Sequence, residues 1–586
     1  METKMKLNAL AVLLLSTNLY AVNLTFSTYL GGTGDDYSYG IDIDSTNSVY
    51  VSGTTNSTNF PTTTGLIAGT LPNVFVTKLD SLAENLVYSS QLGGIGIDIS
   101  NGVKVDSGFA YISGETESDD FPTTSGVFGE TYYGGTEAFA VKLSQDGSFL
   151  VYSTYLGGTS ASSPDFSRQL EVKDGFSFVV GDAGSFGFPV TAGAFDEQHE
   201  TGGSDVFITK LSLDATALEF STFLGGGSED SGFEIAVFDD STSVVTGRTE
   251  SNNFPTTSSA FDTTYNGSDD SFVTRLNSDG TALVFSNYLG STSLDYSFSI
   301  AKGLNNSTLI SGRTQSLGFP TTPGAYDQNL TGINLTDGFV TKMNADGGSL
   351  AFSTYLGGFG EDWGAGIKVD TSGSVYITGK TTSVNFPVTS NAYDNTFNDN
   401  NFVGKDAFVT KLSSEGDGLL YSSFFGGATN DGEFAEDIKI TAGGTVFITG
   451  VTTSSDLPIT QTAFNTSLND LEDAFVARFD SLEVVSTKSE TNKPQTFSLS
   501  QNYPNPFNPT TTINYELEIA NHEFGKLAIF NILGEEVKEF KLTESKGSVT
   551  WNGTDSFGKQ VSSGTYFYKI LTSNNESEVR KMTFLK

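Results

Sequence analysis

WGAGIKVDTSGSVYITG (363–379) and DAFVTKLSSEGDGLLYSSFF (406–425) decide how this chain folds. Both are short runs of β-branched and aromatic residues broken by Asp, Ser and Gly, and neither sustains a 3.6-residue apolar period. They predict four strands, at 363–369, 375–379, 407–412 and 419–425. Asp370-Thr-Ser-Gly373 and Ser413-Ser-Glu-Gly-Asp417 supply the tight turns between neighbours.

The same unit recurs along the chain, and internal repeats fix an architecture before any other signal does. A Phe-Pro or Leu-Pro pair ends at Pro61, Pro122, Pro189, Pro255, Pro320, Pro387 and Pro458, giving steps of 61, 67, 66, 65, 67 and 71 residues. An aromatic-Leu/Phe-Gly corner keeps step at Leu30, Leu92, Leu156, Leu224, Leu289, Leu356 and Phe425. β-rich runs end at Gly53, Gly114, Gly181, Gly247, Gly312, Gly379 and Gly450. A third run ends in a cation at Lys78, Lys142, Lys210, Arg275, Lys342, Lys411 and Arg478.

A lone four-stranded sheet leaves edges and an apolar face uncovered, so such units must stack, and radial closure into a propeller of about 4 to 8 blades satisfies all of them. The expected fold is therefore all-β: a seven-bladed β-propeller over 22–482, followed by a small C-terminal β-sandwich. The first corner strand, 24–30, precedes the first complete unit, while the last unit stops after 474–479. The N-terminal strand is thus expected to complete the seventh blade.

The unit resembles the seven-bladed β-propeller repeat family of secreted bacterial proteins. The resemblance rests on YSTYLGG at 152–158, VYITG at 375–379, FPTT at 254–257 and DAFVTKL at 406–412. It covers about 24–482 and implies an architecture, not an activity. Two local departures are Leu457 in place of Phe and Ser291 in place of a second corner glycine.

Composition changes beyond the repeats. Residues 483–497 read as a polar linker. From 495 to 586 nine basic and ten acidic residues give −1, against −38 for the first 494 of a chain whose net charge is −39. Short alternating strands at 512–517, 527–530, 537–542, 548–551, 564–571 and 579–584 predict the sandwich. NYPNPFNP (502–509), IFNILGEEV (529–537), WNGTDSFGKQVSSGTYFYKI (551–570) and the terminal RKMTFLK make 498–586 similar to the type A C-terminal sorting domain of the type IX secretion system. That resemblance implies the type IX machinery as a partner and a secreted or outer-membrane-surface location. At the other end, Lys4 and Lys6 precede an apolar run, 7–15, in the order of a secretory signal peptide over 1–21, with cleavage expected after Ala21. The run is shorter than the roughly 20 residues a membrane helix needs, so no transmembrane segment is expected in the mature chain.

Chemistry is harder to place. The 69 acidic residues disfavour nucleic-acid binding, since phosphate contacts need cations. Without Cys there is no thiolate nucleophile or Cys-ligated metal, and His199 and His522 are the only histidines. An Asp follows each corner, at Asp36, Asp98, Asp165, Asp230, Asp295, Asp362 and Asp431. If these carboxylates ringed one mouth they would suit Ca²⁺ or another hard cation. As turn residues bonded to their own backbone they would bind nothing, and for a repeated scaffold this is the heavier reading. Gly31-Gly-Thr-Gly34 lacks the Lys-Ser/Thr of a phosphate loop, and the loop at 42–53 lacks the Gly and Glu of a helix-loop-helix calcium site. No copy stands out as a catalytic blade, so no catalytic residue and no cofactor beyond possible Ca²⁺ is assigned. The expected function is a secreted or surface propeller for binding, adhesion or structure, facing an extracellular glycan or protein. The alternative is a polysaccharide-degrading hydrolase or lyase using carboxylates at the channel mouth.

Overall fold

The computed structural model describes residues 23–586 apart from 64–65, 67–68, 161–162, 331–335, 399–403, 429–431, 470, 481, 483–496, 518–525, 532–535, 543–545 and 572–579. The signal-peptide expectation over 1–21 and nearly all of the expected linker lie outside the described residues. The chain divides into two compact units, Met1–Val485 and Ser486–Lys586.

The first unit contains seven antiparallel four-stranded sheets. Each is a meander whose first strand is innermost. These inner strands are Asp36–Ile43, Asp98–Asp106, Asp165–Lys173, Asp230–Val237, Asp295–Lys302, Asp362–Val369 and Glu433–Ile440. Consecutive inner strands touch, and the last touches the first, so they ring a central axis. Six sheets are built from one continuous stretch each. The seventh takes its outer strand, Asn23–Leu30, from the N-terminus, paired antiparallel with Asp473–Asp480 from Leu30↔Ala474 to Asn23↔Asp480.

The repeated motifs now have physical reasons. The aromatic before Pro stacks on the aromatic of its blade's third strand, as in Phe319–Phe339 at 4.4 Å and Phe386–Phe408 at 4.5 Å between centroids. The apolar core lies between blades: Phe285 and Leu289 of the fourth pack with Ile300, Ile310 and Phe339 of the fifth. The glycine two residues before the end of each second strand answers a β-bulge in the inner strand beside it. In the fifth blade the register slips between Ser297 and Ser299, leaving Phe298 as the extra residue. A Cβ at Gly312 would lie 1.9 Å from the Tyr296 carbonyl oxygen, so only glycine fits there. The bulge also sets which side chains reach the axis.

Below the bulges, charged side chains belt the inner strands. Lys439 meets Asp42 at 2.5 Å, and Lys368 lies 3.7 Å from Glu234 and 3.9 Å from Asp437. These carboxylates also accept backbone N–H groups of the next blade: Val105 to Asp42 at 2.8 Å, Ile300 to Glu234 at 2.7 Å and Ile41 to Asp437 at 3.1 Å. Burial pulls the Lys104 ammonium down, yet Asp437, Glu171, Glu234 and Asp42 hold it above its ordinary range. Removing one member of a buried charge cluster costs about 3–5 kcal/mol because its partners stay buried. Lys104→Ala is accordingly expected to destabilise the ring by that amount in urea titration. A loss under about 1 kcal/mol would show that the belt is held without it.

The second unit is a two-sheet sandwich, of three strands (Phe497–Leu499, Thr511–Leu517, Lys546–Trp551) and four (Glu536–Lys541, Lys526–Phe530, Gly564–Leu571, Arg580–Phe584). Trp551 is fully buried between Phe507, Tyr566 and Phe584, and its indole N–H donates to the Thr554 carbonyl at 2.8 Å. The Asp555–Gly558 turn closes as expected, with the Gly558 N–H on the Asp555 carbonyl and a φ of +81°.

Candidate functional site

The structure puts the repeated acids at the first position of the inner strands, buried, one to a blade. Asp36, Asp98, Asp165, Asp230 and Asp362 each accept the N–H of the second corner glycine at 2.7–2.9 Å, and Asp295 accepts the Ser291 N–H at 2.7 Å. Each also accepts a serine hydroxyl from the loop before the Phe-Pro pair, for example Ser251 on Asp230 at 2.8 Å and Ser383 on Asp362 at 2.7 Å. Asp431 lies outside the described residues. Glu433 opens the seventh inner strand instead, accepting the Gly427 N–H at 3.2 Å and the Thr452 hydroxyl at 2.8 Å.

A second buried acid from the preceding blade flanks the same corner. A Cβ on Gly225 would sit 2.3 Å from Asp205 Oδ1 and 3.0 Å from Asp230 Oδ2, so the glycine keeps the corner between two carboxylates. Asp270 and Asp295 flank Gly290 likewise, and among the described residues Asp205 Oδ1 and Asp270 Oδ1 are buried without a hydrogen-bond partner. Burial pushes Asp205 and Asp270 up to about 7, with Asp230 and Asp295 adding repulsion, and pushes Asp230, Asp295 and Asp362 to about 6. Across the described residues no three His, Asp or Glu side chains gather closely enough to hold one metal ion. The six described positions open six different inner strands, each at its own corner.

The symmetry is broken on the channel side of the same strands. The residue after the opening acid, buried in blade four (Ser231) and half-buried in the others, and the bulge residue two further on, half-buried throughout, lie at the axis. Along blades four to seven they carry rings in series. Phe233 lies 5.8 Å from Phe298, Phe298 lies 5.6 Å from Trp363, and Trp363 lies 5.9 Å from Phe434. Tyr296 joins the arc 6.2 Å from Phe298.

Second-strand cations stand beside these rings in three consecutive blades, and in blade three Arg168 packs 4.9 Å from the Phe166 centroid from the bulge position. The second-strand positions paired with Ser231, Tyr296 and Trp363 hold Arg248, Arg313 and Lys380, whereas the other blades have Thr54, Glu115, Asp182 and Val451 there. Lys380 Nζ sits 3.5 Å from the Trp363 centroid and the Arg313 guanidinium 4.1 Å from it, within cation–π range. Arg248 is neutralised by Glu229, by Glu250 at 2.9 Å and by Asp269 at 2.9 Å. This difference sets blades four to six apart from the other copies. Its signal in the sequence was the variable residue after each constant Asp, a position that a reading for shared features passes over.

Six of the seven third-strand cations follow an acid by five places, Lys78 following Asn73 instead, and the strand's length separates the two. Asp406 and Asp205 are at the opposite strand end, while Lys411 pairs with the turn residue Asp370 at 3.4 Å and Lys78 with Asp44 at 2.9 Å. His199 is structural: Nε2 meets the Ala183 carbonyl at 2.9 Å and the ring packs between Phe186 and Phe223.

A closed ring of four-stranded sheets with a separate sandwich defines the class: a β-propeller carrying an appended C-terminal domain. Residues 25–61 and 351–387 match the SBBP β-propeller repeat, and residues 501–584 match the secretion system C-terminal sorting domain. The chain thus carries β-propeller repeats and a type IX sorting domain, and the sorting domain indicates a secreted or surface-attached protein. No curated protein matches it. Among solved structures it is similar to PorZ, described as an essential bacterial surface component of the type-IX secretion system of Porphyromonas gingivalis. That likeness has 12% identity, covers 95% of this chain and 75% of that one, and has a TM-score of 0.24.

Proposed function

We propose that the protein is an extracellular binding propeller that holds a glycan at the channel mouth. The observation that carries this reading is the arc Phe233–Phe298–Trp363–Phe434, an unbroken series of ring contacts across blades four to seven. Half-exposed rings offer flat apolar faces to the C–H faces of sugars, while neighbouring charged groups address hydroxyls and substituents. A glycan array probed with the full chain tests this directly. Trp363→Ala should abolish the signal, and an array blank for the wild type would end the reading.

Hydrolysis or lysis of the bound glycan is the second reading. It is favoured by Glu436 on the seventh inner strand, whose carboxyl burial pushes up to about 8, so that it keeps a proton near neutrality. Product release from polysaccharides by the wild type and its loss in Glu436→Gln would select it.

Under the same proposal the sandwich serves export and takes no part in binding. Removing residues 498–586 should leave a folded propeller in the periplasm with its melting temperature nearly unchanged, read by cell fractionation and calorimetry. Normal surface delivery of the truncated chain would refute this role.

A further inference from the structure

Arg313 stands apart from the other cations of the mouth. Arg248, at the equivalent position one blade back, is held by three carboxylates, and Lys380, one blade on, lies 3.9 Å from Glu361. Among the described residues no carboxylate lies within ion-pair distance of Arg313; Asp269 and Glu361 act on it only at longer range. Three rings surround it instead, with its guanidinium carbon 4.1 Å from the Trp363 centroid, 4.6 Å from Tyr296 and 5.8 Å from Phe298. It is half-buried at the axis.

In a chain of 69 acidic and 30 basic residues, an arginine without a carboxylate in ion-pair reach is an exception. Stacking between rings fixes the guanidinium plane and leaves its edge donors to meet an oxyanion in a two-pronged bond. A net charge of −39 repels a densely charged polymer as a whole. The fit is therefore a glycan with isolated anionic groups, each placed beside a sugar face that an aromatic ring can cover.

We infer that Arg313 is the anion subsite of the mouth, receiving a carboxylate or sulfate borne on a sugar whose ring stacks on the Tyr296–Phe298–Trp363 wall. This inference rests on the glycan-binding reading above and adds its specificity. Uronates and sulfated sugars present the same oxyanion chemistry, and the experiment separates them.

Full-length protein is titrated calorimetrically with trigalacturonate, a sulfated galactotriose and neutral galactotriose. The wild type should bind one of the two acidic probes at least about tenfold more tightly than the neutral one, the strength of a charge-assisted pair. Arg313→Gln should remove that preference, so that the acidic and neutral probes bind it alike, with Arg313→Lys intermediate because a point charge cannot form the two-pronged bond. Melting temperatures within a few degrees of wild type establish that the variants fold. Equal binding of all three probes by the wild type, or an acidic preference that survives in Arg313→Gln, overturns the anion subsite and leaves glycan binding standing. Wild-type protein that binds none of the three, together with a blank array, overturns both.

Discussion

Deleting residues 24–30 should lower the melting temperature of the protein by roughly 10 °C or more. The strand Asn23–Leu30 is the outer strand of the seventh blade, and it buries Phe26, Tyr29 and Leu30 at 2%, 0% and 0% exposure. Three such side chains contribute about 4.5–9 kcal/mol by burial alone, at about 1.5–3 kcal/mol each. The Tyr29 hydroxyl also donates to the Ser454 carbonyl at 2.7 Å, and the Thr460 N–H donates to the Ser27 carbonyl at 3.2 Å. At roughly 2 °C per kcal/mol for a large domain, the sum gives the expected shift. Calorimetry of the truncated and full chains decides it. Coincident melting curves would mean that the ring closes without its N-terminal strand.

The second large effect is a loss of stability as pH rises. Asp205 and Asp270 have folded values of about 7, as do Glu137 and Glu433. In the unfolded chain carboxyls release their protons near pH 4. Between about pH 4 and 7 the folded state therefore binds more protons than the unfolded one, and stability must fall across that window. A single group raised from 3.8 to about 7 accounts for up to about 4 kcal/mol by pH 8, at 1.36 kcal/mol per unit. The charges facing Asp205 are Asp230, Asp196 and Glu200, and those facing Asp270 are Asp295, Asp262 and Asp269, all of the same sign. Oppositely placed groups exist: at Asp44, hydrogen bonds from Thr46 and Lys78 outweigh burial and hold it at about 2, so its stabilisation is lost only below pH 4. The melting temperature should peak near pH 4–5 and drop steadily to pH 8. Asp205→Asn combined with Asp270→Asn should raise it at pH 8 and flatten the slope, and a pH-independent melting temperature in the wild type contradicts the account. Ca²⁺ added at pH 8 tests whether these corners take a hard cation in place of protons. A rise beyond that given by NaCl at equal ionic strength assigns one, and an equal rise reduces the effect to screening.

What repeats could be read, and what deviates from the repeat could not. The strand at 375–379, the turn at Asp370–Gly373 and the N-terminal closing strand were legible because each meets a backbone requirement that recurs in every copy, such as the tight approach of Gly312 to the Tyr296 carbonyl. The corner acids were legible as a series, but their role depends on the Gly N–H and Ser hydroxyl donors that close over them in three dimensions. In the seventh blade Glu433, the first residue of the inner strand, accepts the corner N–H of Gly427, and its place off the Asp spacing kept it out of the series. The aromatic arc was hidden for the opposite reason. Tyr296, Phe298, Trp363 and Phe434 occupy two different positions of the repeat, and only the bulge brings them to one wall.

The seam between the first strand and the last blade also has a consequence in time. Six sheets form from neighbouring hairpins, but Leu30 must find Ala474, a separation of 444 residues. Bringing such distant ends together carries the largest loop-closure entropy in the ring and places that step late. A chain that emerges N-terminus first then holds an apolar β-segment, NLTFSTYL, without its mate until every other blade has been made. That interval is when the nascent protein is most open to pairing with a second copy of itself. A holdase that covers this segment would raise the yield of closed rings more than one acting anywhere else along the chain.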